Sequence, residues 1–175
     1  LEIALSKKES AETHLNLAAI HAHRGNIDLA YEHVEKAKGL NSDRMKTRVY
    51  YGLGSLDIAR GNYDLAVKNL NMSNGDHYNV SWRKAIAKIM LGNIDDARAD
   101  LLLAREQMKK AGYESKGGNA YALAICAARD GNASDVTKYL KESYEDLTDA
   151  SSKAYQSLMP STWIPIERIS FRSDR

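Results

Sequence analysis

A six-residue phrase recurs along this 175-residue chain and leaves few folds open. It reads Gly25-Asn26-Ile27-Asp28-Leu29-Ala30, then Gly61-Asn62-Tyr63-Asp64-Leu65-Ala66, then Gly92-Asn93-Ile94-Asp95-Asp96-Ala97. A weaker copy is Gly131-Asn132-Ala133-Ser134-Asp135-Val136, so the glycines fall 36, 31 and 39 residues apart. Gly-Asn after an apolar-periodic segment is a helix stop, because glycine tolerates the left-handed conformation at the first residue past the helix. The residue after Asn is apolar and can pack into the turn. The Asp or Ser that follows lies at the start of the next helix, where it can satisfy free N–H groups and meet the positive dipole end. The small Ala then lets two helices approach closely. Each phrase is one helix end, one tight turn and one helix start.

The flanks carry helical spacing. Leu15, Leu17, Ala18 and Ala22 precede the first turn, and Leu29, Ala30, Val34 and Ala37 follow it. Tyr50, Leu53, Gly54 and Ile58 precede the second, and Leu65, Ala66, Val67 and Leu70 follow. The third has Trp82, Ala85, Ile86 and Ile89, then Ala97, Leu101 and Ala104. The fourth has Tyr121, Ala124, Ile125 and Ala128, then Val136 and Leu140. These i, i+3, i+4 patterns predict two amphipathic helices per unit. The mean spacing is close to the ~34-residue period of helix–turn–helix arrays.

Over residues 11–146 the chain resembles the tetratricopeptide repeat (TPR) family. Tyr50-x-x-Leu53-Gly54 is similar to the start of the family's W-x-x-L-G-x-x-Y pattern, with Tyr for Trp. Thr13 to Ala37 follows one whole repeat nearly in register. No Pro closes any repeat, the second unit is short, and an insertion around Lys109–Gly118 lengthens the third. The resemblance implies an all-α, right-handed α-solenoid of about four helix pairs, at about 11–42, 47–76, 78–112 and 117–146. A polar capping helix is expected over 147–159, so that the repeat domain spans 1–159 and residues 160–175 form an extended tail. Leu1 to Leu5 resembles the end of a preceding second helix, as if an earlier repeat had been cut away or a targeting segment removed.

The resemblance also implies a concave face lined by the first helix of each unit. It assigns Leu15, Ala19 and His23 from the first unit and Arg48, Tyr51, Ser55 and Ile58 from the second. Asn79, Trp82, Arg83, Ile86 and Ile89 come from the third, and Ala122, Ile125 and Arg129 from the fourth. The candidate partner-binding groove is then Arg48, Tyr51, Ile58, Asn79, Trp82, Arg83, Ile86 and Ile89, apolar at its floor with a few polar selectors. Some family members grip a C-terminal carboxylate; the matching positions here are Leu15, Ala19, Gly52, Asn79 and Arg83, of which Arg83 alone is retained. That clamp is not expected.

Other chemistry finds little support. Lys and Arg total 25 against 23 Asp and Glu, a net charge of +2, which gives no case for nucleic acid as partner. No stretch reaches the ~18 apolar residues of a membrane-spanning helix. One Cys excludes an internal disulfide framework and a CxxC zinc site, and Cys126 lies in an apolar run that predicts a buried, inert thiol. His14 and His21, seven apart, with His23 nearby, fit packed imidazoles better than metal ligands, and no HExxH motif occurs. No GxSxG, P-loop or GxGxxG is present, and Gly52 and Gly54 read as helix-packing positions.

The expected function is therefore non-enzymatic, with no cofactor or metal: a scaffold holding a segment of another protein or peptide. The alternative is a small-molecule-sensing or accessory subunit with a ligand pocket inside the solenoid. The phrase pattern resembles TPR proteins of bacterial envelopes, a lean towards the periplasm or outer membrane, with the cytoplasm as the alternative. The tail, Trp163 to Phe171, is apolar, at about 1.5–3 kcal/mol for each side chain fully buried. It is expected to dock on the protein's own surface, the alternatives being a partner strand, a linker, or exchange between two copies in a homodimer.

Overall fold

The computed structural model describes residues 10–40, 42–73, 77–113 and 117–148. These form eight α-helices: α1 (Ala11–His23), α2 (Ile27–Gly39), α3 (Lys46–Ala59), α4 (Tyr63–Met72), α5 (Tyr78–Met90), α6 (Ile94–Lys110), α7 (Gly117–Arg129) and α8 (Ala133–Thr148). A 3₁₀ turn, Asp43–Met45, leads into α3. Among the described residues there is no strand. The helices pack as four antiparallel pairs, and each second helix packs on the first helix of the next pair. First helices of successive pairs also touch, whereas second helices lie further apart, which puts the first helices on the inner side of the curve. This is the α-solenoid expected from the repeats. Residues 147 and 148, expected to open a capping helix, complete α8 instead; the rest of that expected helix, the tail and the segment Leu1 to Leu5 lie outside the described residues.

The four Gly-Asn turns share one hydrogen-bond scheme. Gly25, Gly61, Gly92 and Gly131 have φ of 78°, 78°, 82° and 72°. Each glycine N–H donates to the carbonyl three residues back, and each following Asn N–H donates five back, as Asn26 to His21 at 2.9 Å. This is the Schellman closure, which satisfies the carbonyls a helix end leaves free. The side-chain capping expected of the Asp or Ser after each turn is not seen among the described residues, and the cap bond at these turns comes from an Asn in the fourth. Asn26, Asn62 and Asn93 make no cap bond through their side chains. In the fourth turn Asn132 Oδ1 accepts from the Asp135 N–H at 3.1 Å. Asp28 instead accepts from Arg60 Nη2 at 2.6 Å, in the next unit.

That pair belongs to a set. Arg48 to Asn16, Arg60 to Asp28, Arg83 to Tyr51 and Arg98 to Asp130 each join residues 32 positions apart. The guanidinium is long enough to cross from one unit to its neighbour while its stem packs along the helix. The exposed members are screened by water and contribute little individually. Their common offset means that they help set how successive units stack.

Two apolar clusters form the core. One is built from α1–α3, around Leu15, Ala18, Ala30, Val34, Val49 and Leu53. The other is built from α5–α7, around Ala85, Ile89, Ala97, Leu101, Leu123 and Cys126. The phrase alanines Ala30, Ala66 and Ala97 are fully buried, and Ile27 and Ile94 pack into the turns. Leu29 and Leu65 correct the sequence reading, since they are 44% and 42% exposed. The buried stripe of the second helix is set by the adjacent Ala, one residue or ~100° further round. The Lys109–Gly118 insertion is partly helix: α6 runs 17 residues before Gly112, at φ 75°, ends it.

Candidate functional site

Counting back from the turn glycines places residues of different units in register. Ten positions before each glycine stand Leu15, Tyr51, Trp82 and Tyr121; six before stand Ala19, Ser55, Ile86 and Ile125. These two rows lie on the first helices α1, α3, α5 and α7, which carry the inner side of the curve. Tyr51, Trp82, Ile86, Tyr121 and Ile125 are half-buried. Trp82, Ile86 and Ile125 rest directly on the second apolar cluster. In α1 the rows offer only a buried Leu15 and a small, exposed Ala19, whereas α3–α7 carry the half-buried aromatics and isoleucines, so the apolar floor belongs to the last three units.

One rim of this floor is polar. Arg83 Nε donates to the Tyr51 hydroxyl at 2.8 Å, and its guanidinium lies 5.3 Å from the Tyr51 ring centroid. A cation resting on an aromatic ring with a hydrogen bond to its hydroxyl is held in place before any ligand arrives. Ser55 Oγ donates to the Tyr51 carbonyl at 2.7 Å. Arg48 is exposed; its Nη2 donates to Asn16 Oδ1 at 3.3 Å, and its Nη1 lies 3.9 Å from a Glu12 carboxylate oxygen. Asn79 and Ile58 are half-buried on α5 and α3.

The structure thus brings Tyr51 and Arg83 together across two units and places Trp82 and Ile86 one turn apart on α5. It does not present the whole expected set. Ile89 is only 7% exposed and belongs to the core, and Leu15 and Ala122 are buried too. The first helices are apolar on a broad arc; Ile89 and Ala122 lie off the two rows on its core-facing part, whereas Leu15 stands in the same row as Tyr51 and is buried in the first cluster. Tyr121, Glu12 and Asn16 were not assigned from sequence. Tyr121 is recoverable from the ten-residue offset, and Glu12 stands thirteen before its glycine, as Arg48 does.

His14, His21 and His33 pack together at the α1–α2 seam, whereas His23, expected to pack with them, is exposed. His14 Nδ1 and His33 Nδ1 lie 3.0 Å apart, sharing one proton in a hydrogen bond, and the His21 ring stacks on His33 at 5.4 Å. Burial pushes the His33 imidazole below its ordinary value of 6.5, with His14, Lys36 and His21 adding to the effect and Glu32 opposing it. The folded chain therefore takes up this proton less readily than the unfolded chain. Its contribution is complete above about pH 6.5 and is lost as pH falls through that value towards the lower folded one. Melting at about pH 7 and pH 5 is expected to show a fall in Tm that is smaller in His33→Gln. An equal fall in both proteins would remove His33 as the cause.

Asp57 and Cys126 are fully buried in helix packing. Asp57 on α3 is fully buried and accepts from Asn69 Nδ2 at 2.7 Å; burial pushes its carboxyl up, against the opposing effects of Asn69 and Arg60. Cys126 is fully buried in the second cluster, and burial pushes its thiol up, away from the reactive thiolate. Among the described residues no helix is long and apolar enough to cross a membrane.

No protein-family model and no curated protein matches the chain. Solved structures do. A crystal structure of MamA superposes with a TM-score of 0.68 at 17% identity, covering 90% of this chain and 87% of that one. YrrB, described as a TPR protein with an unusual peptide-binding site, superposes with a TM-score of 0.65 at 14% identity, covering 85% and 75%. A further MamA structure, from AMB-1, gives 0.60 at 23% identity over 86% and 79%. The chain has a TPR-like helical-repeat fold.

Proposed function

We propose that the chain is a protein-interaction scaffold that holds a segment of a partner protein on its inner face. The observation that carries this reading is the half-buried set Tyr51, Trp82 and Ile86 from the two rows, bordered by the preset Arg83. Large apolar side chains kept partly at the surface of a curved face are what recognition of a peptide segment uses. Arg83 and Arg48 add charge selection at the rim, with Asn79 and Ile58 bordering the same floor. Ile89 supports the floor from beneath. YrrB, of similar fold, has a peptide-binding site, which supports the same class of activity here.

The test is selection of peptides from a displayed library on the full chain, followed by titration with variants. Ile86→Asp and Trp82→Ala are expected to weaken selected peptides at least about 30-fold, the effect of losing an anchor of about 2 kcal/mol. Leu65→Asp, on the exposed face of α4, is expected to leave affinity within about twofold. Circular dichroism checks that each variant keeps its helices. Peptides that bind Ile86→Asp as tightly as the unaltered chain would place recognition elsewhere.

A further inference from the structure

We propose that residues Trp163–Phe171 of this same chain occupy the inner face when no partner is bound, so that a partner must displace them. The inference rests on the reading of that face as a binding surface and adds an occupant and a mode of regulation. The first argument is chemical fit. The floor offers Tyr51, Trp82, Ile86 and Ile125, all half-buried. The segment supplies Trp163, Ile164, Ile166, Ile169 and Phe171, the densest apolar run beyond α8. Pro160 and Pro165 disfavour a helix there, and an extended ribbon suits a shallow trough across several helices.

Glu167 and Arg168 cancel within the segment, so it carries no net charge to repel or attract Arg48 and Arg83 at the border of the floor. The second argument is reach. Fourteen residues separate Thr148, the end of α8, from Trp163. Extended, they span up to about 46–50 Å. The first helices of three adjacent units, at about 8–10 Å between neighbouring axes, cover about 20 Å. The linking stretch, with Ser151, Ser152, Lys153, Gln156 and Ser157, is polar enough to stay in water while the segment docks. A tether of this length holds the segment at an effective concentration of roughly millimolar, so a weak contact suffices to keep the face occupied.

Crosslinking in the full chain tests this. Ser55→Cys places a thiol on the floor, and Ser161→Cys or Ser170→Cys places one at either end of the segment. Cys126 is fully buried and stays silent in the native chain. A short bis-maleimide, quenched afterwards with excess small thiol, is expected to link Ser55→Cys to at least one segment thiol within a single chain, seen as an intact mass of one chain plus one reagent with no quencher added. Thr137→Cys on α8, paired with the same segment thiols, is expected to react at least tenfold more slowly. Ile166→Asp with Ile169→Asp should abolish the link and tighten selected peptides at least fivefold. A product with the mass of two chains would overturn the proposal in favour of exchange between copies. Equal rates for Ser55→Cys and Thr137→Cys would overturn it outright. If the link fails while Ile86→Asp still releases selected peptides, the binding face stands and its occupation by this segment does not.

Discussion

Replacing Gly54 by alanine is expected to lower stability by about 2 kcal/mol, whereas the same change at Gly52 is expected to be neutral or mildly stabilising. A Cβ at Gly54 would stand 2.5 Å from Leu70 Cγ, 2.9 Å from Leu70 Cδ2 and 3.1 Å from the Ala66 carbonyl oxygen. The first contact is impossible without movement, and Leu70 is fully buried on α4 and has nowhere to turn. The last is backbone. The pair must move apart, at about 1–3 kcal/mol for overpacking. Alanine returns up to about 1 kcal/mol through better helix propensity, which leaves the loss dominant. At Gly52 the added atom meets Val34 Cγ2 at 3.4 Å, close to ordinary contact, so the propensity gain is not cancelled. At roughly 2–4 °C per kcal/mol for a chain of this size, Gly54→Ala should melt about 4–8 °C lower. Equal Tm values for the two variants would mean that α3 and α4 are not locked at this crossing.

The contrast between these glycines shows what the sequence could and could not say. Both sit in a first helix and both read as packing positions, although only Gly54 falls on the glycine of the family's pattern. The pattern marks Gly54 without giving the size of the effect, which the distance to Leu70 sets. The turns were legible because their chemistry is local: Gly-Asn closes one helix within five residues and starts the next within four. The inner face was legible only as a stripe. Leu15, Ile89 and Ala122 share helical spacing with Tyr51, Trp82 and Ile125, yet they point into the core. A first helix of a solenoid is apolar towards its partner and towards the inner side, and the two arcs merge in a periodicity count. Counting from each turn glycine removes Ile89 and Ala122 from the rows but keeps Leu15 with Tyr51, Trp82 and Tyr121, so that only burial sets Leu15 apart. The arginine contacts 32 positions apart were beyond reach for another reason. They need the stacking offset between units, which tertiary packing sets.

Truncating Leu101 to alanine is expected to unfold half of the molecule while the other half persists. Leu101 is fully buried on α6 in the second cluster, and the change costs about 2–5 kcal/mol in lost burial and cavity. Domains of ordinary size are stable by only about 5–15 kcal/mol in total. In a compact single-core protein that loss would be felt everywhere. Here the clusters of α1–α3 and α5–α7 have no residue in common, and contact runs chiefly between elements adjacent in the chain. Stability in such an array approximates a sum of unit and nearest-neighbour contributions, so damage stays near its origin. Amide exchange of Leu101→Ala should therefore lose protection in α5–α8 and retain it in α1–α3. Leu53→Ala, in the first cluster, should give the mirror pattern. The inner-face row spans this junction, with Tyr51 on α3 and its partner Arg83 on α5. A segment lying on both would tie the two halves together, and peptide binding should restore part of the lost protection in Leu101→Ala. Uniform loss of protection in both variants would show one cooperative unit and would remove the basis for that coupling.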